Sequence, residues 1–261
     1  MLNEASRQHI HEIWDRLSEF GAQHIDEALE YVLRELVALI GAQHGYWLGS
    51  VRLSEGDESD PANGWRARAV WYLDSTPERE ARYKQLSRRL DNGEANPSIV
   101  ANVREAGRFR VNIRSEYIPP EWYESEFYKK FYGKSGIQDV AYVATPLAPD
   151  AESWFCFERI GSPGIRYDNE ARVLLDYAVR PMRWFHRQLL LHRGVLIADE
   201  PFTPSERRVL NALLTDKTEQ QIAEELGLTP TTVHTYSTRI CRKFNVRRRA
   251  GLTALWLGQT E

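Results

Sequence analysis

FTPSERRVLNALLTDKTEQQIAEELGLTPTTVHTYSTRICRKFNVRRRAGLTALWLG, residues 202–258, is the stretch whose reading decides the rest of the chain. It contains three helix starts in close succession. Thr203-Pro204-Ser205-Glu206 is a capping box with proline in the first turn: Thr203 can accept from the Glu206 amide while the Glu206 side chain returns to the Thr203 amide. Thr218-Glu219-Gln220-Gln221 repeats the box, and Thr229-Pro230 opens a third helix. Val209, Leu210, Leu213 and Leu214 give the first helix a buried face. Ile222, Ala223 and Leu226 do the same for the second, which Gly227 ends. At about 100° per residue, Val233, Ser237, Ile240 and Phe244 fall on the inward side of the third helix. Thr231, Thr235, Thr238, Arg239 and Arg242 fall on the opposite side, flanked by His234 and Lys243.

The few residues between the second and third helices match the tight turn of a helix-turn-helix. A Thr/Arg face suits DNA: arginine pairs with guanine or phosphate, and threonine meets a thymine methyl or a phosphate. The run resembles the LuxR/NarL-type (GerE-like) helix-turn-helix. Phe202-Thr203, Glu206, Val209-Leu210, Ile222-Ala223, Leu226, Thr232-Val233, Lys243, Val246 and Arg249 fall in register with it. The resemblance implies base or backbone contacts from His234, Thr235, Thr238 and Arg242, and phosphate contacts near Thr218, Thr231 and Tyr236. Asp216 departs from the usual glycine, and His234 and Tyr236 stand where lysine and histidine are common. Such modules usually bind double-stranded DNA as homodimers on two half-sites. A fourth helix over 249–257 is a candidate dimer seam or part of the core, and the helix over 168–192 is the other candidate for dimerisation.

Bulk properties agree with a basic reader carried by an acidic partner domain. Residues 202–261 hold nine Lys/Arg against six Asp/Glu, whereas the remainder holds 25 against 31. No apolar run reaches the roughly 18 residues of a membrane span, and the first residues lack a signal peptide's regions. The expectation is a cytoplasmic protein with no membrane contact. Cys156 and Cys241 are too far apart in sequence to suggest a disulfide framework, and the seven histidines lack metal spacing, so neither metal nor cofactor is expected.

Ahead of residue 196 the pattern is mixed. Helices are expected over 6–20 and 23–40, then strands over 46–53 and 66–74 joined by the polar loop SEGDESDPANG. Helices follow over 77–90 and 98–105, a strand over 109–113, an aromatic helix over 120–132, and strands over 139–147 and 153–160. A long helix over 168–192 closes the region, kinked at Pro181. Hairpin-linked strands with helices around them indicate an α+β layer and an antiparallel sheet. This order resembles the GAF/PAS-like sensor fold, on NPSIVANVREAGRFRVNI and on SEFYKKFYGKSGIQDVAYVATPL followed by WFCFERIGSPGIRYDNEARVLLDY. The expected division is a sensor and dimerisation domain over 1–195, a linker over 196–201 and the DNA-binding domain over 202–261.

What the front domain senses is not written in any motif. An early strand with paired acids, which a phosphoacceptor receiver needs, is missing. Trp47 and Asp60-Pro61 mimic part of an acyl-homoserine-lactone signature, but Val51 and Ser75 stand where tyrosine and tryptophan are expected. Catalytic signatures such as G-x-S-x-G, H-E-x-x-H and a Walker loop are absent, so no enzymatic activity is expected. Trp71 and Trp154 on strands, with Tyr117, Trp122 and Tyr128 on a segment able to cover them, are candidates to line a small-molecule effector pocket. For any one ring, core packing is the more ordinary explanation. The functional expectation is a transcription regulator controlled by that effector; the alternative is a ligand-independent module for protein interaction and dimerisation.

Overall fold

Local caps start most of the helices. The computed structural model describes residues 2–53, 59–196 and 202–258. Asn3 caps α1 (Glu4–Ser18) by accepting from the Ser6 amide at 2.7 Å. A 3₁₀ turn over Ala22–His24 leads into α2 (Ile25–Leu39), whose buried face is Ile25, Leu29, Val32, Leu33 and Leu36. β1 (His44–Arg52) and β2 (Trp65–Tyr72) form the expected hairpin. Of its loop, residues 54–58 lie outside the described residues. Asp60 folds the remainder back by accepting from the amides of Ala62 and Gly64. Thr76 and Asn96, each followed by proline, cap α3 (Pro77–Asp91) and α4 (Pro97–Arg104).

β3 (Arg110–Ile113), β4 (Ile137–Ala148) and β5 (Ala151–Ile160) complete one five-stranded antiparallel sheet of order β2-β1-β5-β4-β3. The aromatic helix expected over 120–132 is divided. A 3₁₀ turn over Pro120–Glu124 ends at Ser125, which caps the short α5 (Glu126–Phe131). The long helix expected over 168–192 is likewise α6 (Asn169–Val179) and α7 (Arg183–His192), separated by a 3₁₀ turn at Arg180–Met182. Pro181 has no amide proton to continue the ladder. Four helices follow: α8 (Pro204–Leu213), α9 (Glu219–Leu226), α10 (Pro230–Lys243) and α11 (Arg249–Trp256). The architecture is α+β with a C-terminal helical domain. Of the expected linker 196–201, residues 197–201 lie outside the described residues. No helix among the described residues is long and apolar enough to cross a membrane.

Register assigns the two faces of the sheet, since directly paired residues share a face. Trp71, Trp47, Phe155, Val143 and Val111 align across all five strands. This face packs against α1, α2, α6 and α7 to make the main core. Gly49 lets α7 approach, because a Cβ there would lie 2.6 Å from a Leu190 methyl. Tyr46, Cys156, Tyr142 and Asn112 align on the other face, as do Leu48, Trp154, Ala144 and Arg110. That face is covered by α3 and α4 instead of by close-packed aliphatic side chains.

His186, wholly buried on the core face, contacts the Ser153 hydroxyl at 2.7 Å and packs 4.4 Å from the Phe155 ring centroid. Burial depresses its pKa to about 3. An unfolded imidazole protonates near 6.5, so stability is complete above that pH and falls as the pH drops toward 3. The expected result is a urea midpoint at pH 5 well below that at pH 7.5, by at most about 1.4 kcal/mol per pH unit for this group. His186→Gln should flatten the slope; an unchanged slope would contradict the assignment.

Candidate DNA-reading surface and sensor cavity

The C-terminal helices are held by the caps that the sequence spells out. Both boxes close: Thr203 with Glu206, and Thr218 with Gln221. Gly227 ends α9 at φ 66°, a left-handed conformation that glycine adopts without a Cβ penalty. Thr229 accepts from the Thr232 amide at 3.1 Å and starts α10. Val233, Ile240, Cys241 and Phe244 face inward and are buried, while Ser237 is half-buried. Cys241 was not among the residues expected to pack inward; its side chain sits beside Ile240 in the same small core.

The opposite face of α10 is open. Thr231, His234, Thr235, Thr238, Arg239 and Arg242 are all exposed. The Thr235 hydroxyl donates back to the Thr231 carbonyl at 2.9 Å. His234 Nδ1 lies 3.2 Å from Glu219, tying the start of α9 to α10. Thr218 is exposed, but its hydroxyl oxygen serves as the α9 cap. Tyr236 is half-buried against the small core, with the Arg239 guanidinium 5.9 Å from its ring. Lys243 points elsewhere: its ammonium donates to Glu206 at 3.0 Å and sits 5.1 Å from the Phe202 ring. Burial works against the Glu206 carboxylate, yet the Thr203 amide and Lys243 together hold its pKa below the ordinary value.

Arg249, part of the family signature, also works internally. Its guanidinium donates to the carbonyls of Leu213, Thr215 and Lys217 and so clamps the end of α8 to the turn before α9. Neither role could be read from sequence, because Lys243 and Glu206 are 37 residues apart and the Arg249 contacts span more than 30.

The module is docked on the front domain. Leu191 of α7 belongs to the small core. His192 Nε2 meets the Asn211 side-chain oxygen at 2.7 Å, and Arg187 donates to the Leu255 carbonyl at 2.7 Å. The Phe202 amide donates to the Arg193 carbonyl at 3.0 Å.

On the front domain, the face opposite the main core carries a partly open cavity of about 170 Å³. Its floor is Tyr46, Leu48, Tyr142 and Trp154; its lid comes from α3 and α4, including Tyr83, Leu90, Ile99 and Val103. Trp65 and Tyr132 close the sides. Of the five rings expected to line a pocket, Trp154 does so. Tyr117 backs the wall, its hydroxyl accepting from Asn102 at 3.2 Å. Trp71 lies on the core face of the sheet beside Trp47, so it cannot reach the cavity. Trp122 and Tyr128 instead surround the buried Arg114 guanidinium, at 5.3 and 5.9 Å. Strand alternation predicts two faces but not which of them stays unfilled, which hides Tyr46 and Tyr142; Tyr83 of α3 and Tyr132 at the end of α5 reach the cavity only through tertiary packing. A surface groove of about 610 Å³ runs outside, lined by Tyr123, Glu124, Lys129 and Arg166 and therefore more polar.

The carboxylate and the indole at the cavity are matched within the protein. Glu152, 1 % exposed, takes two bonds of 2.8 Å from Arg110 and one from the Gly107 amide. The Trp154 indole donates to Ser50 at 3.0 Å. Cys156 is buried under the floor, where desolvation pushes its thiol pKa up, the reverse of a reactive thiolate. Among the described residues, no group of His, Cys, Asp or Glu is placed to hold a metal ion.

Residues 200–256 match the family described as bacterial regulatory proteins, luxR family. No curated protein matches the chain. Among solved structures, SdiA in complex with octanoyl-rac-glycerol is similar at 13 % identity and TM-score 0.46, covering 100 % of this chain and 97 % of that one. Escherichia coli SdiA in the space group P6522 gives 15 % and 0.45, covering 96 % and 97 %. The VqsR LBD domain from Pseudomonas aeruginosa gives 10 % and 0.44, covering 71 % and 96 %.

Two substitutions test this geometry. Arg242→Ala should weaken DNA binding by about 1–3 kcal/mol, or reduce the salt slope by about one if its contact is a phosphate, with the fold intact. Identical salt titrations for the two proteins would remove Arg242 from the interface. Glu206→Ala opens the first capping box and orphans Lys243. The helical domain should lose about 1–3 kcal/mol in urea unfolding.

Proposed function

With residues 200–256 a luxR-family DNA-binding domain, we propose that the chain is a transcription regulator that binds operator DNA through α10, under control of a small molecule held by the front domain. The carrying observation is the outward face of α10. Arg239 and Arg242 have no ion pair among the described residues, and Thr231, His234, Thr235 and Thr238 are exposed beside them. Arginine and threonine there can read base edges, and Thr218 and Tyr236 beside them are assigned backbone contacts in this reading. A single α10 covers one half-site, so the active species is a homodimer on two half-sites.

The cavity supports small-molecule control over a purely structural role for the front domain, because native interiors otherwise pack with few voids. The docking through Leu191, His192 and Arg193 supports a route from one to the other. An effector acts by binding one arrangement of the two domains better than another and shifting their populations.

Full-length protein should bind a selected duplex as a dimer, and log affinity should fall linearly with log salt. A cognate effector should raise the melting temperature, by about 2.7 kcal/mol of stabilisation at a hundredfold excess over Kd. Leu48→Trp fills the cavity floor and should abolish the effector response while preserving duplex binding. Retention of the full response by that variant would refute control through this cavity. Native mass spectrometry of freshly purified protein would show any retained molecule directly.

A further inference from the structure

The cavity's chemistry narrows its occupant, on the premise that the cavity is the sensing site. Three observations bear on it. The first is size. At about 170 Å³ the cavity is close to the roughly 150 Å³ apolar cavity that accepts a single benzene. One ring or two fused rings fill that volume; a long alkyl chain exceeds it and would leave part of itself outside the ring-lined space.

The second is charge. The two charged side chains at the lining are already neutralised inside the protein. Arg66 lies 3.0 Å from Asp60 and 3.2 Å from Asp91. Glu152 is held at both oxygens by Arg110. An ionised ligand would be desolvated against a wall with no free counter-charge, which is strongly unfavourable.

The third is the set of phenols. Tyr83, Tyr132 and Tyr142 all line the cavity, and their hydroxyls have no hydrogen-bond partner among the described residues. A phenol at the cavity wall can both donate and accept, so an oxygen on the ligand is its chemical complement. Flat rings on several walls, including Trp65 and Trp154, favour an aromatic body held by edge and face contacts.

We propose that the front-domain cavity binds an uncharged aromatic molecule of one ring or two fused rings, carrying a hydroxyl or carbonyl oxygen that pairs with Tyr83, Tyr132 or Tyr142. The experiment is calorimetry and thermal shift on the full chain at pH 7.5, with phenol and 2-naphthol as neutral aromatic probes. Benzoate tests charge, 1-hexanol tests aromaticity, and toluene tests the oxygen. Phenol or 2-naphthol should raise the melting temperature, and each comparison probe should bind at least about tenfold more weakly, tenfold being the size of the one hydrogen bond that toluene lacks. Tyr142→Phe should weaken phenol several-fold and leave toluene unchanged. Leu48→Trp should block every probe.

Equal or tighter binding of benzoate or 1-hexanol would overturn the proposal and leave effector control by this cavity standing. So would a Tyr142→Phe variant that loses phenol and toluene alike. Failure of both phenol and 2-naphthol to bind would overturn the proposal as well. Effector control itself fails on a different result, a Leu48→Trp protein whose DNA binding keeps its full effector response.

Discussion

The guanidinium of Arg193 is buried at the joint between the two domains, and its burial dictates how they meet. It lies 4.9 Å from the Trp47 ring and 2.6 Å from Asp26, and it is 4 % exposed. Desolvation lowers its pKa to about 10, and Asp26 only partly restores it. A desolvated charge in such a place persists only with a partner held beside it, and Asp26 reaches it from a half-exposed position on α2. Three elements are therefore constrained together: α2 through Asp26, the sheet through Trp47, and the start of α8 through the Arg193 carbonyl and the Phe202 amide. Gly194, at φ 69°, allows the turn, and a Cβ there would press to 3.2 Å on the Phe202 ring.

That joint lies close to the cavity across the thickness of one sheet. The Trp47 indole donates to Ser153 at 2.7 Å, and Ser153 precedes Trp154 on β5. Trp154 forms part of the cavity floor, with Arg110 stacked 4.6 Å from its ring. Consecutive strand residues face opposite sides, so one residue contacts the cavity while its neighbour contacts the residue beneath Arg193. A shift of β5 caused by packing against Trp154 would be felt at Ser153 without any long chain of side chains. Physical adjacency is what the structure supplies; the coupling energy is a separate, measurable quantity.

Legibility followed the range of the interactions. The caps at Thr203, Thr218 and Thr229 and the stop at Gly227 act over three or four residues, so their meaning was complete in the sequence. Pro181 was similarly local: the expected kink is the turn between α6 and α7. The cavity was not legible, because it depends on register between strands about a hundred residues apart. Trp71 and Trp154 look alike as strand tryptophans, yet pairing to Trp47 puts Trp71 in the core and pairing to Leu48 puts Trp154 at the cavity. The density of rings over 120–132 was visible, but its organising centre was not. Arg114 sits on a different element, wholly buried among Trp122, Tyr123, Tyr128 and Tyr132.

Charge in the DNA-binding module shows why counting basic residues overstates what faces the duplex. Lys217 pairs with Glu225, Lys243 with Glu206, and Arg249 saturates carbonyls of the α8–α9 turn. Arg207 and Arg208 donate to the carbonyls of Phe202 and Leu226. Arg239, Arg242, Arg247 and Arg248 remain exposed with neither ion pair nor hydrogen bond among the described residues. His234 adds little fixed charge, since Glu219 lies beside it. Counterion release scales with the phosphates a protein neutralises, and these four arginines have no such internal ion pair or hydrogen bond to give up before meeting one. The neighbouring threonines then matter for fit and base discrimination more than for attraction.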